Sequence, residues 1–305
     1  MTEPSWYVSV LSWNDRSATV ACLESLRQVR EPAIGVVCVD QGSTDGSADA
    51  IREQHPEVEL IENDRNLGFS GGHNVAIRRA LERGAEWVVL LNNDAEIAPD
   101  CIAAFDAAAR EEPSAGILAG KLYLADRRDH IWFAGQRFLP WLGYSGRARG
   151  QGRRDRPRYR RRLRTDRAVG ALMGISRRTI EEVGMLDEDL FFYVEDVDLS
   201  LRARAAGFEV ILVPEARAWH EGSASTGGAA STHNLYFGTR NTVVVCERHR
   251  PLPVPLSWLR RGVILATFAA HALGRPNRSA ALSAVLEGYR DARAGRLGPR
   301  RERPA

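Results

Sequence analysis

Lysine is almost missing from this chain: of 305 residues, 42 are Lys or Arg, and Lys121 is the single lysine. The basic charge is arginine, an excess that partly reflects codon usage and so weighs little as a sign of phosphate recognition; no nucleic-acid partner is expected. Cysteine is sparse as well. Cys22, Cys38, Cys101 and Cys246 are scattered without a CxxC pair, which argues against a zinc knuckle or a redox couple and leaves buried, reduced thiols. Neither GxGxxG nor GxxxxGK[ST] occurs, so a dinucleotide fold and a P-loop are both disfavoured. No charged amino-terminal segment precedes an apolar stretch and a small-residue cleavage site, and the expected location is therefore cytoplasmic. Long apolar runs are lacking too: Val263 to Leu273 falls well short of the roughly 20 residues that a membrane span needs.

What is present describes a globular chain. At 44% hydrophobic and 27% charged, it is long enough for one large α/β core with appendages. Its net charge of +3 is uneven: Arg147 to Arg167 holds eleven arginines against Asp155 and Asp166, a local 11 − 2 = +9 that leaves 3 − 9 = −6 elsewhere. Gly146, Gly150, Gly152 and Pro157 oppose regular structure in that segment, which reads as a mobile surface loop, either solvated or lying over an anionic substrate.

The run Trp87-Val88-Val89-Leu90-Leu91 stops at Asn92-Asn93-Asp94. Five apolar residues without alternation suit a strand buried on both faces of a parallel sheet, and ligands of such sheets gather beyond the carboxyl ends of strands. Tyr7 to Leu11 and Ile34 to Val39 read as earlier strands, each followed by a polar turn and a helical pattern. Asn14 lies in the first turn and Asp40 opens the second. Strands alternating with helices predict a parallel sheet with right-handed crossovers, which puts both turns on one edge and Asp40 and Asp94 in one cleft. Further strands are expected at 117–124, 131–138, 169–175 and 210–213.

Gly68, Gly71 and Gly72 crowd the start of a helix after Asn66. Backbone N–H groups there would serve an anion, and close packing against a strand would demand glycine equally. Glu195, Asp196 and Asp198 fall at the start of a later helix, which carries Val197, Leu201 and Ala205 on one face and ends at Gly207. The helix dipole favours acids there. One would suffice, however, and crowding like charges below an aromatic cluster raises a carboxylate pKa toward what a general base needs. His220 follows the last apolar strand.

Together these blocks resemble a family. From Tyr7 to about Asn241 the chain is similar to family 2 glycosyltransferases with the GT-A fold, and within them to the bacterial rhamnosyltransferase-like branch. The blocks carrying the likeness are VDQGSTDGS from Val39, NLGFSGGHN from Asn66, LLNND from Leu90, FFYVEDVDLSLRARAAGF from Phe191, and AWHEGS around His220. The resemblance implies that Asp40 bonds the pyrimidine base and that Asn92 and Asp94 end a DXD-like motif, Asn92 standing where a strict motif has aspartate. It further implies that Asp94 and His220 hold a divalent metal, Mg2+ or Mn2+, and that Asp196 is the catalytic base with Glu195 beside it. Gly71 and Asn14 join Asp40 and Asn92 as expected contacts to the nucleotide sugar.

The expected fold is thus an α/β GT-A sheet, mostly parallel and wound with helices, over 1–250, followed by a helical extension over 251–305. The expected activity is inverting transfer from dTDP-rhamnose or a UDP-hexose to a hydroxyl of a glycan or lipid-linked acceptor in envelope polysaccharide synthesis. A sugar-phosphate nucleotidyltransferase would use a similar sheet but shows a glycine-rich signature with Lys or Arg after the first strand, and none follows Leu11. A non-catalytic nucleotide-sugar or glycan binding protein remains a third reading. Arginines flanking Val263 to Leu273 leave two roles open for the extension: a helix packed on the core, or peripheral contact with the inner face of the cell membrane.

Overall fold

The computed structural model describes residues 4–139, 141, 143–144, 148–221 and 231–300. Gly146, Arg147, Gly222 and Ser223, used in the reading above, lie outside them. In chain order the elements are β1 (Trp6–Ser12), α1 (Arg16–Arg27), β2 (Ile34–Asp40), α2 (Ser47–Gln54), β3 (Glu59–Glu62), α3 (Gly68–Glu82), β4 (Trp87–Leu91), β5 (Ala95–Ile97) and α4 (Cys101–Glu111). Then come β6 (Ala115–Leu124), β7 (Ile131–Phe133), β8 (Leu163–Arg164), β9 (Leu172–Ser176), α5 (Arg177–Val183), α6 (Glu195–Ala205), β10 (Glu209–His220), α7 (Thr232–His249), α8 (Val254–Leu273) and α9 (Arg278–Arg293).

One sheet runs β3-β2-β1-β4-β9-β6-β10-β5, with β7 on β6 and β8 on β10. The half from β3 to β4 is parallel, as the alternation of strands and helices requires. Beyond it the sheet is mixed. β9 runs against both β4 and β6, and β5 runs against β10. The cause is connectivity: after β6 the chain wanders through the arginine-rich segment and enters β9 from the opposite end. Val88 to Leu91 are fully buried, which explains a strand with no polar alternation. Trp6 stacks on Trp87 at 5.3 Å and on Phe105 at 6.2 Å, closing the core under α4.

Several boundaries differ from the sequence reading. The strand expected to run to Phe138 ends at Phe133, and β10 continues past Val213 to carry His220 inside the sheet. On α6 the buried side is Val197, Leu199, Ser200 and Ala203, while Ala205 is exposed. The arginine-rich segment is irregular yet tied down. Arg154 pairs with Asp129, Arg162 with Glu111 and Arg164 with Glu209, and Tyr159 is buried between Arg149 and Arg158. The lone lysine has a partner here too: Lys121 reaches Asp155 at 2.6 Å.

Helices α7, α8 and α9 pack together beside the sheet. Leu235, Tyr236 and Phe237 of α7 meet Ala272 of α8 and Ala281, Ala284 and Val285 of α9. Small residues let the backbones close in, since a Cβ at Gly288 would stand 2.4 Å from the Tyr236 carbonyl oxygen.

Candidate active site

Sheet register brings Asp94 and His220 together. In the antiparallel pair β5/β10, Ala95 faces His220, so the residue before β5 and the last residue of β10 meet at one sheet end. The Glu221 N–H donates to the Asp94 carbonyl at 3.1 Å and seals the corner. His220 Nε2 lies 2.9 Å from Asp94 Oδ1 and 3.0 Å from Asn92 Nδ2. With the Asn92 amide as donor, Nε2 is an acceptor, and its lone pair confronts a carboxylate oxygen. Both Asp94 carboxylate oxygens are buried without an aligned donor, and His220 Nδ1 is buried without a partner. Burial pushes the Asp94 carboxyl up, but when the His220 ring is protonated its charge and hydrogen bond, with the Asn92 amide, outweigh burial and hold the group below the usual carboxylate range.

Among the described residues no three His, Cys, Asp or Glu side chains gather as a metal cluster. The Asp94–His220 pair still fits a divalent cation of the Mg2+ or Mn2+ class, because a shared cation relieves a carboxylate oxygen that faces an imidazole nitrogen. The remaining positions would fall to phosphate oxygens and water, as is usual for magnesium at phosphate sites.

Asp196 reaches the same region through β9. The Asn92 N–H donates to the Ala171 carbonyl at 3.4 Å, and the Gly170 N–H donates to Asp196 Oδ2 at 3.3 Å. Arg167 stands 3.6 Å from Asp196 Oδ1. The three acids of α6 separate by environment. Asp198 is spoken for, bonded to His249 at 2.7 Å and Arg202 at 2.8 Å; these outweigh its burial and hold its pKa down. Glu195 is buried beside Asp196, and loss of solvent together with that neighbouring charge pushes its carboxyl well above the carboxylate range.

The loop before α6 is held under strain. Phe191, Tyr193 and Val194 adopt φ of 63°, 69° and 74°, a region costly for non-glycine residues. Buried Asn241 offers its amide to the carbonyls of Leu190, Phe192 and Tyr193 at 2.8, 2.8 and 2.7 Å, and Arg240 adds a bond to Leu190 at 2.9 Å. A Cβ at Gly68, where φ is +76°, would stand 2.4 Å from the Phe191 carbonyl oxygen, so the glycine at the start of α3 lets this loop close on it.

The other glycines of that turn are likewise accounted for by packing. A Cβ at Gly72 would strike the Gln41 amide at 2.9 Å, and one at Gly71 would meet Leu67 Cβ at 2.8 Å. Gly71 lies on no wall of the two cavities described below. Asn14 sits apart in a shallow hollow with Asp15, Arg16 and Asp45, where its Oδ1 accepts from the Thr44 N–H at 2.8 Å. Asp40 faces Ser12 in the sheet register, accepts from the Ser43 N–H at 2.8 Å through Oδ1, and keeps a buried Oδ2 without a partner.

Two adjoining cavities, of about 140 and 260 Å³, share the walls Phe69, Asn92 and Phe192. The first holds Gln41, His73 and Asp94; the second holds Arg167, Glu195, Asp196 and His220. Asp94, Asn92, His220, Asp196 and Glu195 are thereby brought together, and Asp40 lies one residue from the wall. Arg167 escaped the sequence reading because a run of eleven arginines gives no way to single one out. His73 was visible in the glycine-rich block but gave no spacing argument; it bonds Ser9 at 2.7 Å, and burial lowers its pKa to about 3, so the ring is neutral.

Comparison with known proteins bears on the family and the fold. Residues 4–236 match the family described as glycosyltransferase like family 2. An N-acetylglucosaminyl-diphospho-decaprenol L-rhamnosyltransferase of Mycobacterium tuberculosis is 30% identical over 269 residues, covering 79% of this chain and 84% of the relative. A dTDP-rhamnosyl transferase of Shigella flexneri is 23% identical over 217 residues, covering 70% and 68%. A mannosyltransferase from Pyrobaculum calidifontis, solved with GDP-Man and Mn2+, shares the fold at a TM-score of 0.58 and 21% identity, covering 96% of this chain and 83% of its own. S. aureus TarS residues 1–349 with UDP-GlcNAc gives a TM-score of 0.56 at 14% identity, covering 96% and 93%. By its GT-A sheet and by the match across most of its length, the chain belongs to glycosyltransferase family 2.

Proposed function

We propose that this chain is an inverting, metal-dependent glycosyltransferase that moves a sugar from dTDP-rhamnose or a UDP-hexose to a hydroxyl of a glycan or lipid-linked acceptor. The observation that carries this reading is the pair of joined cavities, with Asp94 and His220 at their junction and Asp196 in the second. The rhamnosyl relatives support the donor class, and the first of them is named for a lipid-linked diphosphate acceptor.

Asp94 and His220 would hold the divalent cation, which supplies neutralising charge for the departing diphosphate. Asp40, with its free Oδ2, bonds the pyrimidine, and Asn92 orients His220. In the second cavity an Asp196 oxygen takes the proton of the acceptor hydroxyl as the hydroxyl oxygen forms its bond to the anomeric carbon and the bond from this carbon to the phosphate oxygen breaks on the opposite face. The Gly170 N–H and Arg167 fix the Asp196 carboxylate, and Glu195 with its raised pKa is a proton reservoir beside it. The arginine-rich segment contributes to the acceptor side through Arg167. Residues 1–250 form the catalytic unit and 251–305 its extension. No role toward the donor is assigned to Gly71 or Asn14, given their placement.

Incubation of the protein and manganese with labelled dTDP-rhamnose, UDP-glucose and UDP-galactose, with and without a polyprenyl-diphospho-sugar acceptor, tests the reading. Transferred or hydrolysed sugar with release of nucleoside diphosphate supports it; pyrophosphate release indicates nucleotidyl transfer, and binding without turnover indicates a binding protein.

A further inference from the structure

Helix α8 is amphipathic in the wrong sense for a surface helix. Its two arginines turn inward or along the body. Arg260 is 1% exposed and bonds the Arg250 carbonyl at 2.8 Å, and Arg261 pairs with Glu247. The sequence suggested Arg260, Arg261 and Arg275 for lipid contact, and the fold consumes the first two. The opposite face carries Pro255, Trp258, Leu259, Gly262, Ala266 and Leu273, at the spacings i, i+3, i+4, i+7, i+11 and i+18 that align on one side of an α-helix. All six are exposed, Trp258 by 65%, Leu259 by 61% and Leu273 by 50%. No charged residue interrupts this stripe.

The stripe is set in basic surroundings. Arg250 precedes the helix and Arg275 and Arg278 follow it, all exposed and without an ion pair among the described residues. The only acids of residues 251–300 are Glu287 and Asp291, bound by Arg300 and Arg296. Among the described residues no helix is long and apolar enough to cross a membrane. We propose that the outward face of α8 docks on an anionic lipid bilayer, with Trp258 and Leu259 entering the headgroup boundary and Arg250, Arg275 and Arg278 meeting lipid phosphates.

Charge selects this occupant over a second copy of the chain. A two-fold contact along α8 would set the same unpaired arginines of both copies against one another, whether the helices ran parallel or antiparallel. An anionic headgroup layer complements them, and an exposed tryptophan suits the boundary between headgroup and hydrocarbon. This surface goes beyond the transfer reading and is independent of it.

The test is co-sedimentation of the full chain, without sugar or acceptor, with vesicles of phosphatidylglycerol and phosphatidylcholine in equal parts and with pure phosphatidylcholine vesicles. The protein should pellet with the mixed vesicles at low salt, weaken as salt rises, and bind phosphatidylcholine less. Trp258→Glu with Leu259→Glu should lower partitioning about tenfold or more, and Arg275→Glu with Arg278→Glu should erase the preference for phosphatidylglycerol. Both pairs are exposed, so their thermal unfolding should match the parent and exclude misfolding as the cause. A parent protein that stays in the supernatant, a Trp258/Leu259 variant that still pellets fully, or a parent dimer that this variant splits in light scattering overturns the proposal. Because no turnover is measured, none of these results bears on glycosyl transfer.

Discussion

Asn241 should matter more than any single bond it makes. Its amide nitrogen has two hydrogens and three carbonyl acceptors within 2.8 Å, so one hydrogen serves one carbonyl and the other is shared between two. Those carbonyls belong to the strained loop whose residues wall both cavities and lead into Glu195 and Asp196. Asn241→Asp keeps the shape and the bond from Arg240 Nε to Oδ1 at 2.8 Å, but it removes both donors and sets a second carboxylate oxygen against the three carbonyls. Two acceptors left short in a buried setting cost about 1–3 kcal/mol each, so a loss of about 2–6 kcal/mol is expected, from a total that is ordinarily about 5–15. Asn241→Ala loses the same donors without the added repulsion and should be the milder variant. Urea unfolding reads the change as a lower midpoint at unchanged slope, and sugar transfer should fall by more than the unfolded fraction explains. If Asn241→Asp unfolds at the parent midpoint, the amide does not hold this loop.

Gly68→Ala should destabilise by about 1–3 kcal/mol or more in thermal unfolding, because both its φ of +76° and the 2.4 Å approach to the Phe191 carbonyl oxygen exclude a side chain. Glu195 gives a pH signature: its folded pKa is raised, so the native state holds a proton that the unfolded chain releases. Stability should decline from the ordinary glutamate range near pH 4.5 up to the raised folded value, and Glu195→Gln should flatten that decline, leaving acid-side stability as in the parent. Asp94→Ala should abolish the manganese-dependent tightening of UDP or dTDP in calorimetry, whereas Asn14→Ala, placed away from both cavities, should retain it.

The parallel half of the sheet was legible because buried strands and amphipathic helices announce themselves by period, and Val88 to Leu91 show the pattern at its plainest. β9 was legible as a strand but not in direction: nothing local to Leu172–Ser176 records which end the chain enters from. The acids of α6 could be found as a cluster, yet their division of labour depends on residues far away in sequence, His249 and Arg202 for Asp198, and Gly170 and Arg167 for Asp196. Glycine spacing misled for a related reason. An anion-binding turn and a close-packed one need the same residue, and only the positions of Leu67, Gln41 and Phe191 distinguish them. The inverted face of α8 was half visible: its apolar stretch could be read, but that Arg260 points inward follows from packing alone.

The central claim assigns the acceptor's proton to Asp196, and a single variant tests it most directly. Asp196→Asn preserves size and can still meet the Gly170 N–H through its carbonyl oxygen, but it accepts no proton. Measured side by side, transfer of labelled sugar to acceptor should fall by about 10²- to 10⁴-fold while the calorimetric affinity for the nucleotide sugar with manganese stays at the parent value. Transfer at the parent rate, or an equal loss of donor affinity, would contradict the assignment.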